Sequence, residues 1–103
     1  MNIKQLYEEG LRVFSDLDLA GSDFTGADLT YCDFSDADLT GVDFEGADLT
    51  GVNFTNVDLT SSDLTDVDFT DADLSYADLT NAKLINTKLT SVDLRYADLT
   101  GAR

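Results

Sequence analysis

The tightest constraint on this chain is a repeat of five residues. From Arg12 to Gly101 the sequence divides into 18 consecutive pentads, each with Leu or Phe at its centre. All 6 Phe of the chain, Phe14, Phe24, Phe34, Phe44, Phe54 and Phe69, are central residues. Two residues before the centre the side chain is usually small, Ala or Val, with Ser22, Ser62, Cys32, Thr87, Leu17 and Arg12 as the others. Between the two stands Asp in fourteen pentads, replaced by Val13, Asn53, Lys83 and Lys88 elsewhere. Thr or Ser usually follows the centre, and Gly, Asp, Asn, Ser or Tyr closes the unit.

A helix does not accommodate this spacing. At 100° per residue, central side chains five apart scatter around the cylinder. Strand alternation fits four of the five positions: in Ala-Asp-Leu-Thr, Ala and Leu face in while Asp and Thr face out. The fifth residue breaks the alternation, so the chain must turn there, and Gly, Asn, Asp and Ser are turn formers. A turn of constant sense every five residues winds a coil with an apolar interior. From Phe14 to Phe54 the centres alternate Phe and Leu. A ten-residue period demands an even number of sides, and four is the smallest number that encloses a core. At about 4.8 Å between stacked strands, some 4.5 coils of 20 residues make a rod about 20 Å long.

Charge and absences narrow the function. The chain has 103 residues, enough for one domain, and a formal charge of −15 with no His and 1 Cys. Nucleic acid and anionic membranes are bound through Lys and Arg, so neither is an expected direct partner. A Ser-His-Asp triad or a His-containing zinc site cannot be assembled. No apolar run resembles a signal peptide or a membrane span, and one thiol suits a reducing compartment. The reading is a cytoplasmic, non-catalytic protein with no cofactor and no small-molecule substrate.

Residues 1–11 stand outside the repeat of 12–103. Asn2 is placed to cap a short helix, Ile3, Leu6 and Tyr7 share one face, and Gly10 can end it. Solenoids need their end coils covered, so this helix is expected to cap the first coil. At the other end Leu84, Leu89, Leu94 and Leu99 are expected to be an uncovered layer, so that either two copies pack through it as a homodimer or the repeats are a fragment or one half of a longer array.

Under a 20-residue coil, Asp18, Asp38, Asp58, Asp78 and Asp98 fall in one outward column, and Asp28, Asp48 and Asp68 in another. Asx side chains favour turns by bonding nearby backbone, but Asn would do this without charge. Repulsion between stacked carboxylates is about 1 kcal/mol per neighbour in water. The negative charge is thus not demanded by the fold, and these ladders are the candidate interaction surface. They lack the converging oxygens of a calcium site, so no metal is expected. Residues 1–80 carry a net −17 and residues 81–103 a net +2, from Lys83, Lys88, Arg95 and Arg103 against Asp93 and Asp98. Tyr76 and Tyr96 are expected to stack at a corner, and Cys32 to fill core.

The pentads resemble the A-(D/N)-L-x-x motif of the pentapeptide-repeat proteins over Arg12 to Gly101. The resemblance implies a right-handed quadrilateral β-helix whose coils are joined by β-bridges, its interior filled by the central and small positions. The implied role is a scaffold or protein-interaction module for an unidentified protein partner. The alternative is that of the quinolone-resistance members, which mimic DNA and bind DNA gyrase, a type II topoisomerase.

Overall fold

Each pentad satisfies two of its five amides locally and leaves three to join the coils, and the fold follows from that. In the computed structural model, which describes residues 2–103, every corner residue has a positive φ. The values are 66–72° at the six corner glycines and 55–62° at twelve other residues. Left-handed φ costs a side-chain-bearing residue about 1–2 kcal/mol, least for Asn and Asp, which hold several of these corners. Inside a side, the Asx carboxyl or amide oxygen accepts the amide two residues on: Asp38 from Thr40 at 3.0 Å, Asn53 from Thr55 at 2.9 Å, Asp58 from Thr60 at 3.0 Å. The next small residue then donates back across the corner, as Val42 N to Leu39 O at 3.1 Å.

The remaining three amides join the coils. Leu39 N reaches Asp58 O at 2.8 Å and Gly41 N reaches Thr60 O at 2.9 Å, while Asp58 N returns to Ala37 O at 3.1 Å. Fourteen parallel bridges, each isolated, pair residues twenty apart: Asp18, Asp38, Asp58, Asp78 and Asp98 form one column. A coil therefore has four sides of five residues. Side one holds 12–16 and the pentads stacked on it, and sides two, three and four start at 17, 22 and 27. Two amides per side point toward the following coil and one toward the preceding coil. Every amide of an interior pentad has an acceptor, which is what a buried backbone requires.

The central and small positions fill the interior. Leu29, Phe34, Leu39, Phe44, Leu49, Phe54, Leu59, Leu64 and Phe69 are all 0% exposed. Phe14, Phe34 and Phe54 stack on side one with centroids 5.6 Å apart, and Phe24 and Phe44 on opposite side three at 5.3 Å. The alternating Phe of the sequence thus become two facing aromatic columns with Leu on the sides between them. After Phe54 the pattern shifts: Phe69 lies on side four and meets Phe54 at 5.9 Å with its ring at 72°. Opposed Phe on sides one and three and opposed Leu on sides two and four fill each of the first coils with the same set of side chains, as close packing demands.

Helix α1, Ile3–Glu8, lies over the first coil. Asn2 accepts Gln5 N at 3.0 Å, and Gly10, at φ 100°, turns the chain away. Ile3 is buried, and Leu6 and Tyr7 pack on the core. Tyr7 Oη lies 2.7 Å from Thr30 Oγ1. Arg12 occupies a small-residue position yet turns toward α1: its guanidinium sits 3.5 Å over the Tyr7 ring and donates to Tyr7 O and Leu11 O. The irregular first pentad is therefore a clamp on the helix. At the far end Leu84 and Leu94 are half-buried, while Leu89 and Leu99 are 39% and 43% exposed.

Candidate interaction surface

The outward face of each side is built from the Asx and Thr positions. On side two the column Asp18, Asp38, Asp58, Asp78, Asp98 runs the length of the array without interruption. Side four carries Asp28, Asp48 and Asp68, then Lys88; side three carries Asp23, Asp43 and Asp63, then Lys83. Lys83 Nζ comes within 3.9 Å of Asp63 Oδ2, an acid set on a base in the same column. On side one Arg95 binds the Asp93 carboxylate with both faces of its fork, its Nη2 at 2.8 Å from Oδ2.

The carboxylates are held, not loose. Besides the amide two residues on, Asp Oδ1 accepts a hydroxyl in many pentads: Thr40 Oγ1 to Asp38 at 2.6 Å, Thr70 to Asp68 at 2.6 Å, Thr100 to Asp98 at 2.6 Å. These hydroxyl bonds, followed by the amide bonds, hold the Asp38, Asp68 and Asp98 carboxyls below their ordinary value, and Thr25 does the same to Asp23. Hydrogen bonds to the charged form favour it. Both bonds use Oδ1, which leaves Oδ2 of each residue as the outward acceptor. The result is a fixed, ionised ladder with one repeat per coil. Asn53 makes the same amide bond at 2.9 Å without a charge, so the geometry needs the oxygen and not the ion.

Glu45 stands at a Thr position, and its carboxylate groups with those of Asp43 and Asp63 within 4.8 Å. Reading pentads one at a time misses this cluster, because its members come from neighbouring coils. Three carboxylates fall short of the six to eight oxygens calcium takes, and Lys83 already offsets Asp63. Tyr76 and Tyr96 stack with centroids 5.0 Å apart and remain exposed. Cys32 is 1% exposed, and burial pushes its thiol up to about 12, so it stays protonated and unreactive. Shallow clefts of about 390 and 230 Å³ flank α1, both bordered by Lys4.

Four short sides, a turn every fifth residue and outward Asx ladders define a class of solenoid, and the sequence comparison agrees. The profile of the pentapeptide repeats matches residues 13–46, 37–75 and 68–103, and the chain belongs to this family, whose solved structures are right-handed quadrilateral β-helices. Curated protein sequences contain no significant match. Among solved structures, a pentapeptide repeat protein of the Arabidopsis thaliana thylakoid lumen is 34% identical, with 85% of this chain and 65% of that chain covered at a TM-score of 0.51. The chain thus spans just under two thirds of that relative. A pentapeptide repeat protein from the cyanobacterium Cyanothece 51142 is 23% identical over 98% of this chain and 93% of that one, with a TM-score of 0.53. QnrB1, a plasmid-mediated fluoroquinolone resistance protein, is 18% identical over 89% and 67%, with a TM-score of 0.69. At those identities the last two share the fold.

Proposed function

We propose that this chain is a non-catalytic scaffold whose side-two ladder, Asp18, Asp38, Asp58, Asp78 and Asp98, is read by a basic surface of a protein partner. One observation carries the reading: the Asx bond is made equally by Asn53, yet fourteen of the fifteen positions that make it are Asp. Charge beyond what the backbone needs, held at a fixed spacing, is a recognition feature, since ordered potentials set orientation and association rate. The test compares two variants of matched charge, with Asp→Asn at 38, 58 and 78 on side two or at 28, 48 and 68 on side four. Cross-linking capture of partners from a native extract is expected to fail for the side-two variant and survive for the other. Equal loss from both means that bulk charge alone matters, and the reading fails.

The second reading is DNA mimicry toward DNA gyrase. It draws on the acidic faces of an array whose roughly 4.5 coils, about 4.8 Å apart, run about 20 Å, a length of about six base steps at 3.4 Å. A supercoiling assay with purified gyrase tests it: the mimic inhibits at micromolar protein, and unchanged supercoiling and unchanged drug-induced cleavage remove it.

A further inference from the structure

The corner column between sides one and two runs Asp16, Asp36, Asn56, Tyr76, Tyr96. All five residues take a φ of 58–62°, a left-handed conformation that Asp and Asn tolerate and bulky side chains rarely adopt. Asp36 and Asn56 make the same turn without a ring, so the fold does not ask for tyrosine here. The Tyr76 and Tyr96 rings stack with centroids 5.0 Å apart at 20°, and Tyr76 is still 58% exposed. Tyr76 lies within the array, with Asn56 in the coil before it and Tyr96 in the coil after. Its exposure therefore belongs to the outward corner. Asn56 sends its amide to Asp36 in the preceding coil, at 2.7 Å. The remaining exposed tyrosine, Tyr31, lies against Gly51 at another corner and is accounted for by that contact.

A stacked aromatic pair beside carboxylates without a base specifies a planar cation. Two residues beyond Tyr76 stands Asp78, whose Oδ1 accepts the Thr80 amide at 3.0 Å and leaves Oδ2 outward. The side-two pentads, 17–21, 37–41, 57–61, 77–81 and 97–101, contain no Lys or Arg. Arg95 is next to Tyr96 in the chain, but Asp93 holds its guanidinium through Nε at 3.0 Å and Nη2 at 2.8 Å. The molecule already makes both contacts such a cation needs: Arg12 lies 3.5 Å over the Tyr7 ring, and Arg95 forks onto Asp93. We propose that Tyr76, Tyr96 and Asp78 anchor an arginine of the partner that reads side two, its guanidinium stacked on the aromatic pair and donating to Asp78 Oδ2. Arginine suits the site better than lysine, because a guanidinium is planar, stacks on rings and meets a carboxylate with a fork of donors. The anchor rests on the reading of side two as a ladder for a basic partner, and it supplies what that ladder lacks. A column of like carboxylates offers the same contact at every coil and fixes no register. The tyrosine pair occurs once and does, and Tyr and Arg are the residues in which interface energy concentrates.

The probes are two synthetic peptides, an alternating Arg-Gly octamer and its Lys-Gly counterpart, titrated into the chain while the tyrosine ring signals are followed by NMR. The Arg peptide is expected to shift the rings of Tyr76 and Tyr96 more than that of Tyr31, and to bind at least about threefold more tightly than the Lys peptide. A Tyr76→Asn, Tyr96→Asn variant keeps corners like that of Asn56 and keeps every acid. It is expected to bind the Arg peptide at least about threefold more weakly and to lose the preference for Arg over Lys, which a merely structural pair would not set. Tyr76→Phe, Tyr96→Phe keeps both rings and is expected to bind within about twofold of the natural chain. Unchanged binding by the Asn variant, or equal binding of the two peptides by the natural chain, overturns the anchor and leaves the ladder standing. Loss of binding in the Phe variant assigns the contact to the hydroxyls and overturns the stacked arginine. Unchanged binding by a variant with Asp→Asn at 38, 58 and 78 overturns the ladder and the anchor together.

Discussion

At the residue scale, a pentad works because its second residue replaces a missing backbone acceptor. The Asx oxygen takes the amide two residues on, and the corner residue accepts a left-handed φ so that its own amide can reach the next coil. Asp58→Ala removes that acceptor and is expected to cost about 0.5–1.5 kcal/mol, whereas Asp58→Asn keeps it; urea unfolding of both separates oxygen from charge. Gly51 shows how firmly corners are held. It has φ 68°, and a Cβ there would run into the Tyr31 ring stacked on it. Gly51→Ala is therefore expected to destabilise by more than the backbone cost of about 1 kcal/mol, while Tyr31→Ala, Gly51→Ala recovers part of the loss. The bonded carboxyls also fix an acid response. With folded-state values below those of the unfolded chain for Asp23, Asp38, Asp68 and Asp98, their contribution is present above the ordinary carboxylate range near 4 and is lost as pH falls below it. Melting temperatures at pH 5 and pH 2.5 are expected to differ more for the natural chain than for the fourfold Asp→Asn variant.

At the element scale, stability is unevenly spread. A central residue of the middle coils meets neighbours above and below, so Leu59→Ala, fully buried in the interior, is expected to cost about 2–5 kcal/mol. Leu99→Ala, at a 43% exposed position, is expected to cost less than half as much; denaturant midpoints compare them. Helix α1 has six residues, too few to persist alone. It depends on buried Ile3, on Tyr7 against Thr30 and on the Arg12 clamp. The helix itself is readable from Asn2 and the Ile3, Leu6, Tyr7 spacing. The clamp is not, because the repeat marks Arg12 only as an irregular small position. Its purpose depends on where α1 lies, which a five-residue pattern does not encode.

At the scale of the whole molecule, the same division holds between what is local and what closure creates. Period, corner residues, inward faces and the even number of sides are legible because each pentad repeats one local solution. The interior Phe columns follow from the ten-residue alternation once there are four sides. Neighbours twenty residues apart are a product of closure, and so are the Asp43, Glu45, Asp63 group, Lys83 beside Asp63 and the direction of the ladders. The central claim is that the fold uses the Asx oxygen while the charge serves recognition. The most direct test is the thermal unfolding of a variant with Asn at all five side-two positions, 18, 38, 58, 78 and 98, at neutral pH and physiological salt. The account predicts a melting temperature within about 4 °C of the natural chain, a change of at most about 1 kcal/mol. A fall of more than about 10 °C, or failure to fold, would mean that the ionised ladder is itself part of what holds the coils together, contradicting the account.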